Sequence, residues 1–200
     1  MIALIDYGAG NLTSVRKGFS AAGAELYTPR QPGDLGGADG IVVPGVGHFS
    51  ATAALHDEWR TAISTALEQG VKLFGICLGL QWLFEGSDED QEITGLGVIA
   101  GRCRRLPPTL KVPHVGWNSL EIRRPSRLLD GIESGTQAYF THSYAADITP
   151  EAVALTTHAA PFASVVETDQ VFGVQFHPEK SGIAGVRMLR NFVTLCSRNG

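Results

Sequence analysis

Short, mostly apolar runs alternate with amphipathic segments through the first half of the chain. The runs cover residues 2–5, 40–43 and 71–76. Their length and lack of polar alternation are typical of strands buried on both faces of a parallel sheet. Turn residues follow them, with Pro44 and Gly45 directly after the second run. The pattern therefore predicts three buried strands, each leading into a loop.

Helices are predicted between and after these strands. Asn11 or Thr13 can cap a first helix that runs toward Ala22. A second helix carries apolar residues at helical spacing, and two more cover residues 78–85 and 183–197. The apolar positions of the second helix are Leu55, Trp59, Ile63 and Leu67. Strands that alternate with helices predict a parallel sheet covered on both faces.

The second half of the chain carries short strand candidates separated by turns. These candidates are residues 98–100, 120–122, 139–140, 153–155, 163–166 and 171–176. They predict antiparallel strands added to the edge of the parallel sheet. Since no repeat or linker divides the sequence, we predict a single α/β domain over residues 1–200. Its architecture is an open, mostly parallel twisted sheet with helices on both faces and antiparallel edge strands.

Composition and charge narrow the class of protein. A hydrophobic fraction of 44% fits a globular protein with a buried core. The formal net charge of -4 argues against nucleic acid as a partner. The apolar run at the N-terminus is too short for a signal peptide, and no run is long enough to span a membrane. We therefore expect a cytoplasmic protein that binds neither nucleic acid nor membranes.

Three cysteines, Cys77, Cys103 and Cys196, are scattered along the chain. Their spacing suits neither a disulfide framework nor a metal site, and a reducing compartment fits them best. The histidines also lack the paired spacing of zinc ligands. His48, His56, His114 and His158 are therefore expected to be solvated or hydrogen-bonded. We expect no metal and no cofactor.

Cys77 lies where the strand 71–76 meets the helix 78–85, between Gly75 and Gly79. A sharp strand-to-helix turn of this kind presents a nucleophile, and glycines on either side let neighbouring chains approach closely. The positive end of the following helix favours a thiolate. A buried structural cysteine explains the five residues equally well. Cys77 is a candidate nucleophile that needs a second observation.

A histidine and a glutamate follow the last predicted strand. Pro178 disfavours helical backbone at His177. Because residues two apart point the same way in extended chain, His177 and Glu179 are expected to share one face. This gives a base with a carboxylate to orient it, as a Cys–His nucleophile requires. The alternative, a surface histidine beside an unrelated glutamate, becomes the weaker interpretation once the cysteine turn is considered with it.

A glycine-rich turn over residues 44–47 follows the second strand. Acyl transfer needs backbone N–H groups aimed at a developing oxyanion. The turn can supply one such group, at Gly45 or Val46, and the N–H of Leu78 can supply another. By itself the turn is equally explained as an ordinary strand-to-helix connection. The turn, Cys77 and His177 all follow predicted strands, and open α/β sheets bind ligands at the carboxyl ends of strands.

The Cys77 and His177 motifs together resemble the class I (triad) glutamine amidotransferases, which have a flavodoxin-like fold. Further strings resemble one branch of that family, the glutaminase subunits of imidazole glycerol phosphate synthase, over nearly the whole chain. The matching strings are residues 6–11 (DYGAGN), 44–49 (PGVGHF), 75–81 (GICLGLQ), 113–118 (PHVGWN), 139–144 (YFTHSY) and 177–181 (HPEKS). The strings are specific jointly, not singly. Leu80 departs from the methionine that family members often carry, and both residues are apolar.

The resemblance implies that Cys77 attacks L-glutamine and forms a thioester, with His177 as general acid–base and Glu179 orienting it. It assigns the oxyanion site to the Gly45–Val46 peptide, whose flip is tied to activation in the family. It also implies residues that hold the substrate and residues that contact a partner. The substrate residues are Gln81, Glu89, His142, Ser143 and Tyr144, and the partner residues are Asn11, Trp117, Tyr139 and Lys180.

The implied partner is a (β/α)₈-barrel cyclase subunit that receives the ammonia. It makes imidazole glycerol phosphate and an aminoimidazole carboxamide ribonucleotide in histidine biosynthesis. A related amidotransferase of pyridoxal phosphate or anthranilate synthesis shares the triad, but not the strings 113–118 and 177–181. A binding protein or stress hydrolase on the same fold is a different class of alternative. Labelling of Cys77 by diazo-oxo-norleucine separates that class from an amidotransferase.

Overall fold

The computed structural model describes residues 1–197, which contain fourteen short strands and four α-helices. In chain order the strands are β1 (Ile2–Leu4), β2 (Leu26–Tyr27), β3 (Gly40–Val43), β4 (Lys72–Ile76), β5 (Gly86–Ser87), β6 (Asp90–Thr94), β7 (Arg102–Arg105), β8 (His114–Ser119), β9 (Glu121–Ile122), β10 (Gln137–His142), β11 (Tyr144–Ala146), β12 (Ala152–His158), β13 (Ala160–Glu167) and β14 (Val171–Val174). The helices are α1 (Leu12–Ala21), α2 (Glu58–Glu68), α3 (Leu78–Leu83) and α4 (Gly182–Ser197).

Most of the strands join one sheet. Its order is β2-β1-β3-β4-β14-β13-β11-β7-β5-β6, with β12 on β13 and β9 on β12. The first five strands in this order are parallel neighbours, whereas β13 runs antiparallel to β14 and begins the antiparallel part. The predicted fold class, a mostly parallel open sheet with antiparallel strands at its edge, is confirmed.

Helices cover both faces of the sheet because alternate strand residues point to opposite sides. One core contains Ile2, Leu4, Val42 and Phe74 from the strands, with Phe19 of α1 and Phe192 of α4. The other contains Ala3, Ile41 and Val43, with Ile63 of α2 and Leu83 of α3. The ring of Phe192 is fully buried, with its centroid 4.9 Å from that of Phe74 and 6.4 Å from that of Phe19.

The helix boundaries follow from identifiable caps and turns. Asn11, one of the two predicted caps, begins α1, since its side chain accepts a hydrogen bond from the N–H of Ser14 at 3.0 Å. The predicted helix through Leu55 is wrong in its first turn: Leu55 ends a 3-10 helix, Phe49–Leu55. Asp57, with φ 52°, separates that turn from α2 because a left-handed residue cannot continue a helix.

The strand predicted at residues 98–100 is also wrong. Those residues form bends, and β7 begins only at Arg102. Strands β2, β5, β6, β7, β8 and β11 were missed. In β8 the usual alternation is inverted, since Val115 and Trp117 are exposed and His114 is buried. Strand β8 pairs with β10 in a separate two-stranded sheet. The side chains of Val115 and Trp117 on β8 are 58% and 56% exposed.

Two of the three arginines of β7 are paired with carboxylates. The guanidinium of Arg102 lies 3.3 Å from Asp88, and that of Arg104 lies 2.8 Å from Asp147. Exposed pairs of this kind contribute about 0–1 kcal/mol each. These pairs indicate that Arg102 and Arg104 lie at a solvated edge of the sheet.

No helix within residues 1–197 has both the length and the apolar character needed to cross a membrane. No group of three or more His, Cys, Asp or Glu side chains in this range is arranged to hold a metal ion.

Candidate active site

Cys77 forms the turn between β4 and α3. Its backbone has φ 56° and ψ -105°, a left-handed conformation that costs a non-glycine residue about 1–3 kcal/mol. The N–H of Cys77 donates to the carbonyl of Val174 on the neighbouring strand at 2.8 Å, which ties the turn to β14. A Cβ on Gly79 would lie well inside van der Waals contact with the carbonyl oxygen of Val43. The strained turn is therefore held in place by glycine packing and by the parallel sheet.

His177 and Glu179 lie beside this turn, at the carboxyl end of β14. The Nδ1 of His177 donates to Oε1 of Glu179 at 2.8 Å, and both side chains are 2% exposed. The backbone of His177 is extended, as predicted, with φ -103° and ψ 97°. Glu179, however, belongs to a 3-10 turn, Pro178–Lys180. The turn, and not an extended chain, brings the carboxylate back onto the imidazole.

The second ring nitrogen of His177, Nε2, is not the one that bonds to Glu179. This nitrogen is buried, and within residues 1–197 it has no hydrogen-bond partner other than the Cys77 sulfur. Burial lowers the pKa of His177, but the Cys77 sulfur and the Glu179 carboxylate outweigh burial and raise the pKa to about 10. The imidazolium is thus favoured at neutral pH, with an N–H available to protonate a leaving group.

A cavity of ≈ 290 Å³ opens over the sulfur of Cys77. The predicted substrate residues Gln81, Glu89, His142, Ser143 and Tyr144 all line it, together with Leu78. Glu89 is oriented by the N–H of Phe49, which donates to Oε2 at 2.8 Å. A pocket with a carboxylate at one wall and a sulfur at the other suits a small zwitterionic molecule with an electrophilic end.

A smaller cavity of ≈ 200 Å³ lies beside His177 and Glu179. Its walls include these two predicted catalytic residues and several residues predicted for the oxyanion site and for the partner. These are Asn11, Gly45, Val46, His177, Glu179 and Lys180. Nearby, the rings of Trp117 and Tyr139 lie edge to face with centroids 6.0 Å apart, and Nζ of Lys180 is 5.9 Å from the Tyr139 ring. The four predicted partner residues thus lie on one side of the molecule.

The predicted oxyanion donors are close together but not free. The N–H of Leu78 donates to the carbonyl oxygen of Gly45 at 3.3 Å. A carbonyl therefore occupies the place where an oxyanion would need that N–H. Tyr7 lies against Gly45, and its buried hydroxyl makes no hydrogen bond within residues 1–197. In this arrangement the N–H of Leu78 is not available to any other acceptor.

His114 and His142 form a buried pair behind the cavity wall. Nδ1 of His142 donates to the carbonyl of Tyr144 at 2.9 Å, so its Nε2 accepts from Nδ1 of His114 at 3.0 Å. His158 stacks on His114 with ring centroids 4.2 Å apart. Burial lowers the pKa of His142 to about 3 and that of His114 to about 4. The expectation that His114 is hydrogen-bonded is confirmed.

This pair makes the fold sensitive to acid. Both histidines stay neutral when folded, whereas in the unfolded chain they bind protons near pH 6.5. The unfolded chain therefore binds more protons below that pH, and stability falls between about pH 6.5 and 4. We expect a loss of about 1.4 kcal/mol per pH unit for each histidine. Urea unfolding at pH 7, 6 and 5 measures it.

The matched variant is His142→Asn, which keeps a polar side chain and removes one titrating ring. We expect this variant to be less stable than the wild type at pH 7 but to show a shallower loss toward pH 5. Equal slopes for both proteins would show that the histidine pair does not control acid stability.

Residues that the sequence did not reveal complete the site. Three residues contact or surround Cys77 without having been singled out. Gln175 lies in the predicted apolar strand 171–176, Thr141 lies near the end of β10, and Tyr7 lies in the loop after β1. The one available signal was Gln175, a polar residue at a position where the pattern required burial.

The comparisons with known proteins agree with this geometry. The family model for glutamine amidotransferase class-I matches residues 3–196. The chain therefore belongs to the class I glutamine amidotransferase family. Within that family it belongs with the proteins named imidazole glycerol phosphate synthase subunit HisH, as the identities to curated relatives establish.

Three of these relatives illustrate the similarity. The chain is 44% identical to the HisH subunit of Natronomonas pharaonis, over 98% of this chain and 94% of the relative. Identity is 46% to that of Halobacterium salinarum, over 98% and 94%. It is 43% to that of Moorella thermoacetica, over 100% and 97%. The predicted family and branch are confirmed.

Solved structures share the fold at lower identity. A glutamine amidotransferase crystal structure matches with a TM-score of 0.78 at 20% identity, covering 98% of this chain and 100% of the other. The PurLQS structure from Thermotoga maritima matches with a TM-score of 0.77 at 17% identity, covering 96% and 97%. These matches support the architecture.

Proposed function

We propose that the chain hydrolyses L-glutamine to glutamate and ammonia as the glutaminase subunit of imidazole glycerol phosphate synthase. The observation that carries the proposal is the buried His177–Glu179 pair at 2.8 Å beside Cys77, at the floor of a cavity sized for an amino acid. Membership in the HisH family supplies the biosynthetic context, histidine biosynthesis.

In the first half of the reaction the thiolate of Cys77 attacks the side-chain carbonyl carbon of glutamine, and the carbonyl oxygen becomes an oxyanion. The imidazolium of His177 then gives its Nε2 proton to the amide nitrogen. The carbon–nitrogen bond breaks, ammonia leaves, and a glutamyl thioester remains on Cys77. Glu179 holds the imidazole through Nδ1 and stabilises its positive charge.

In the second half, water attacks the thioester carbonyl and gives a proton to Nε2 of His177. The carbon–sulfur bond breaks, glutamate leaves, and Cys77 returns to the thiolate beside an imidazolium. Each cycle therefore consumes one glutamine and one water and restores both catalytic groups. No metal or cofactor enters this scheme.

The amino-acid end of glutamine is proposed to bind between Gln81 and Glu89. Both hydrogens of the Gln81 amide nitrogen point at protein acceptors, the carbonyl of Tyr144 at 2.9 Å and Oε1 of Gln175 at 3.2 Å. Gln81 thus offers its Oε1, and Glu89 its carboxylate, to the substrate ammonium group. Backbone groups of the segment 142–144 lie beside the same end.

The proposed partner is the (β/α)₈-barrel cyclase subunit. Asn11, Trp117, Tyr139 and Lys180 form the candidate contact surface, which carries an exposed tryptophan and a charged rim. The ≈ 200 Å³ cavity between this surface and His177 supports a route for ammonia toward the partner. Delivery without release into solvent is part of the proposal. So are a cytoplasmic location, which the scattered cysteines favour, and a single domain over residues 1–200.

We expect the isolated chain to hydrolyse glutamine poorly. Since Leu78 N–H is bonded to Gly45, one oxyanion donor is occupied, and the loss of such a donor costs about 10²–10³-fold in rate. Adding the cyclase subunit with its ligand should raise glutamate production by about a hundredfold or more. Steady-state glutamate release, with and without the partner, measures this.

A matched pair of variants tests the contact surface. Trp117→Ala should weaken activation by the cyclase, because it removes the exposed aromatic ring of the proposed interface. Glu68→Ala, an exposed residue of α2 on the opposite face of the sheet, should leave activation unchanged. Full activity of the lone chain, unaltered by the partner, would contradict the proposed partnership.

A further inference from the structure

A second buried glutamine, Gln175, touches the sulfur of Cys77. It directly follows β14, two residues before His177, and is fully buried. Its Nε2 lies 3.7 Å from Cys77 Sγ, within hydrogen-bonding range of sulfur. Burying an amide without partners costs free energy, so a glutamine at this position requires compensating hydrogen bonds. The sulfur and Gln81 provide them.

The orientation of the Gln175 amide follows from one carbonyl group. The carbonyl of Tyr144 can only accept, so the amide nitrogen of Gln81 must face it, at 2.9 Å. That same nitrogen lies 3.2 Å from Gln175 and needs an acceptor there, which is Oε1. The remaining group of the Gln175 amide, its N–H, is left facing the sulfur. The chain Tyr144–Gln81–Gln175 therefore aims a donor at Cys77.

The carbonyl group of Thr141 also lies near the sulfur, but it favours the protonated thiol. The carbonyl of Thr141 lies 3.9 Å from Sγ and can accept a hydrogen bond only from the protonated thiol. The Gln175 N–H interacts best with the thiolate, because hydrogen bonds to charged acceptors are the stronger ones. Gln175 and Thr141 thus favour different protonation states of Cys77, and Gln175 is the closer of the two.

We propose that Gln175 is a catalytic residue: its side-chain N–H stabilises the thiolate of Cys77, and Gln81 positions it through the Tyr144 carbonyl. The proposal deepens the proposed function and rests on Cys77 as its nucleophile. Gln81 then has two proposed roles: it binds the substrate, and it orients the Gln175 amide whose N–H donates to the sulfur.

The charged and titratable groups around the sulfur come from several elements. His177 approaches from the turn after β14, with Glu179 behind it. Tyr7 approaches from the loop after β1. Glu89 closes the far side of the cavity. Because a Gln175 variant leaves all four in place, a change in thiol reactivity reports the loss of the amide donor.

The test is the rate of Cys77 alkylation by iodoacetamide between pH 5 and 10, followed by mass spectrometry on the full chain. Gln175→Met keeps the length of the side chain and removes the donor. We expect its rate–pH curve to be displaced about one unit upward, so that the alkylation rate falls about tenfold at the acid end of the curve and reaches the same plateau at high pH. Gln175→Glu, the second variant, adds a negative charge and should displace the curve further. Gln137→Met, an exposed glutamine of β10, is the matched control.

Two results would overturn the proposal. One is an unchanged curve in both Gln175 variants. The other is a rate lowered equally at every pH, which is the signature of a merely structural role. The proposed function fails separately, if diazo-oxo-norleucine does not label wild-type Cys77 in the presence of the cyclase. Iodoacetamide alkylation does not depend on glutamine recognition, so the two failures are distinguishable.

Discussion

Replacing Cys77 by alanine is expected to abolish glutamine-dependent synthesis and to leave ammonia-dependent synthesis by the complex intact. The substitution removes the only atom proposed to bond to the substrate, and loss of a nucleophile lowers turnover by at least about a thousandfold. Free ammonia bypasses this step, because the cyclase reaction needs ammonia and not glutamine. Product formation by the complex with each nitrogen source measures both activities.

Cys196→Ala is the matched control, because it replaces a different cysteine by alanine. This cysteine is also buried, but it lies in α4, and burial raises its pKa to about 12. We expect its variant to keep glutaminase activity. Alanine at position 77 should not add backbone strain, since cysteine already adopts φ 56° there. Glutaminase activity retained by Cys77→Ala would show that the nucleophile is another residue.

Gly79→Ala is expected to have the largest effect on stability. The new Cβ would overlap the backbone carbonyl oxygen of Val43, so α3 must move away from β3 or the carbonyl must tilt. Overpacking costs about 1–3 kcal/mol where side chains can yield, and backbone yields less readily. We expect a loss of at least about 3 kcal/mol, or roughly 6–12 °C in Tm for a domain of this size.

Gly33→Ala is the matched control, because a Cβ at Gly33 meets no atom within 4 Å. Its stability should stay within about 0.5 kcal/mol of the wild type. Thermal unfolding of both variants, followed by circular dichroism, makes the comparison. Equal unfolding temperatures for the two variants would show that the close approach of α3 to β3 does not require a glycine at position 79.

Local patterns predicted the parts of the molecule that depend on neighbouring residues. The buried strands β1, β3 and β4 were predictable because continuous apolar runs need cover on both faces. The Cys77 turn became predictable once the cysteine between two glycines at a strand end was considered together with His177 and Glu179. The Asn11 cap was predictable because its side chain reaches a backbone N–H three residues on.

Prediction failed at two local turns and at one strand that depends on a distant partner. Leu55 has helical spacing to Trp59, yet Asp57 breaks the helix between them. Strand β8 has no apolar alternation of its own and is held by pairing with β10. Glu179 reaches His177 through a 3-10 turn, although an extended chain had been expected to align them.

The sequence by itself determined the fold class, the family and the identity of the three candidate catalytic residues, because these follow from short motifs and from periodicity. Only the tertiary structure decided what surrounds Cys77. Gln175 lies 98 positions from Cys77, and His142 lies 28 from His114, yet each pair is in hydrogen-bonding contact. Likewise, only the fold brings the Leu78 N–H into a hydrogen bond with the Gly45 carbonyl. Contacts of this kind arise from strand order and register, which no single segment of the chain encodes.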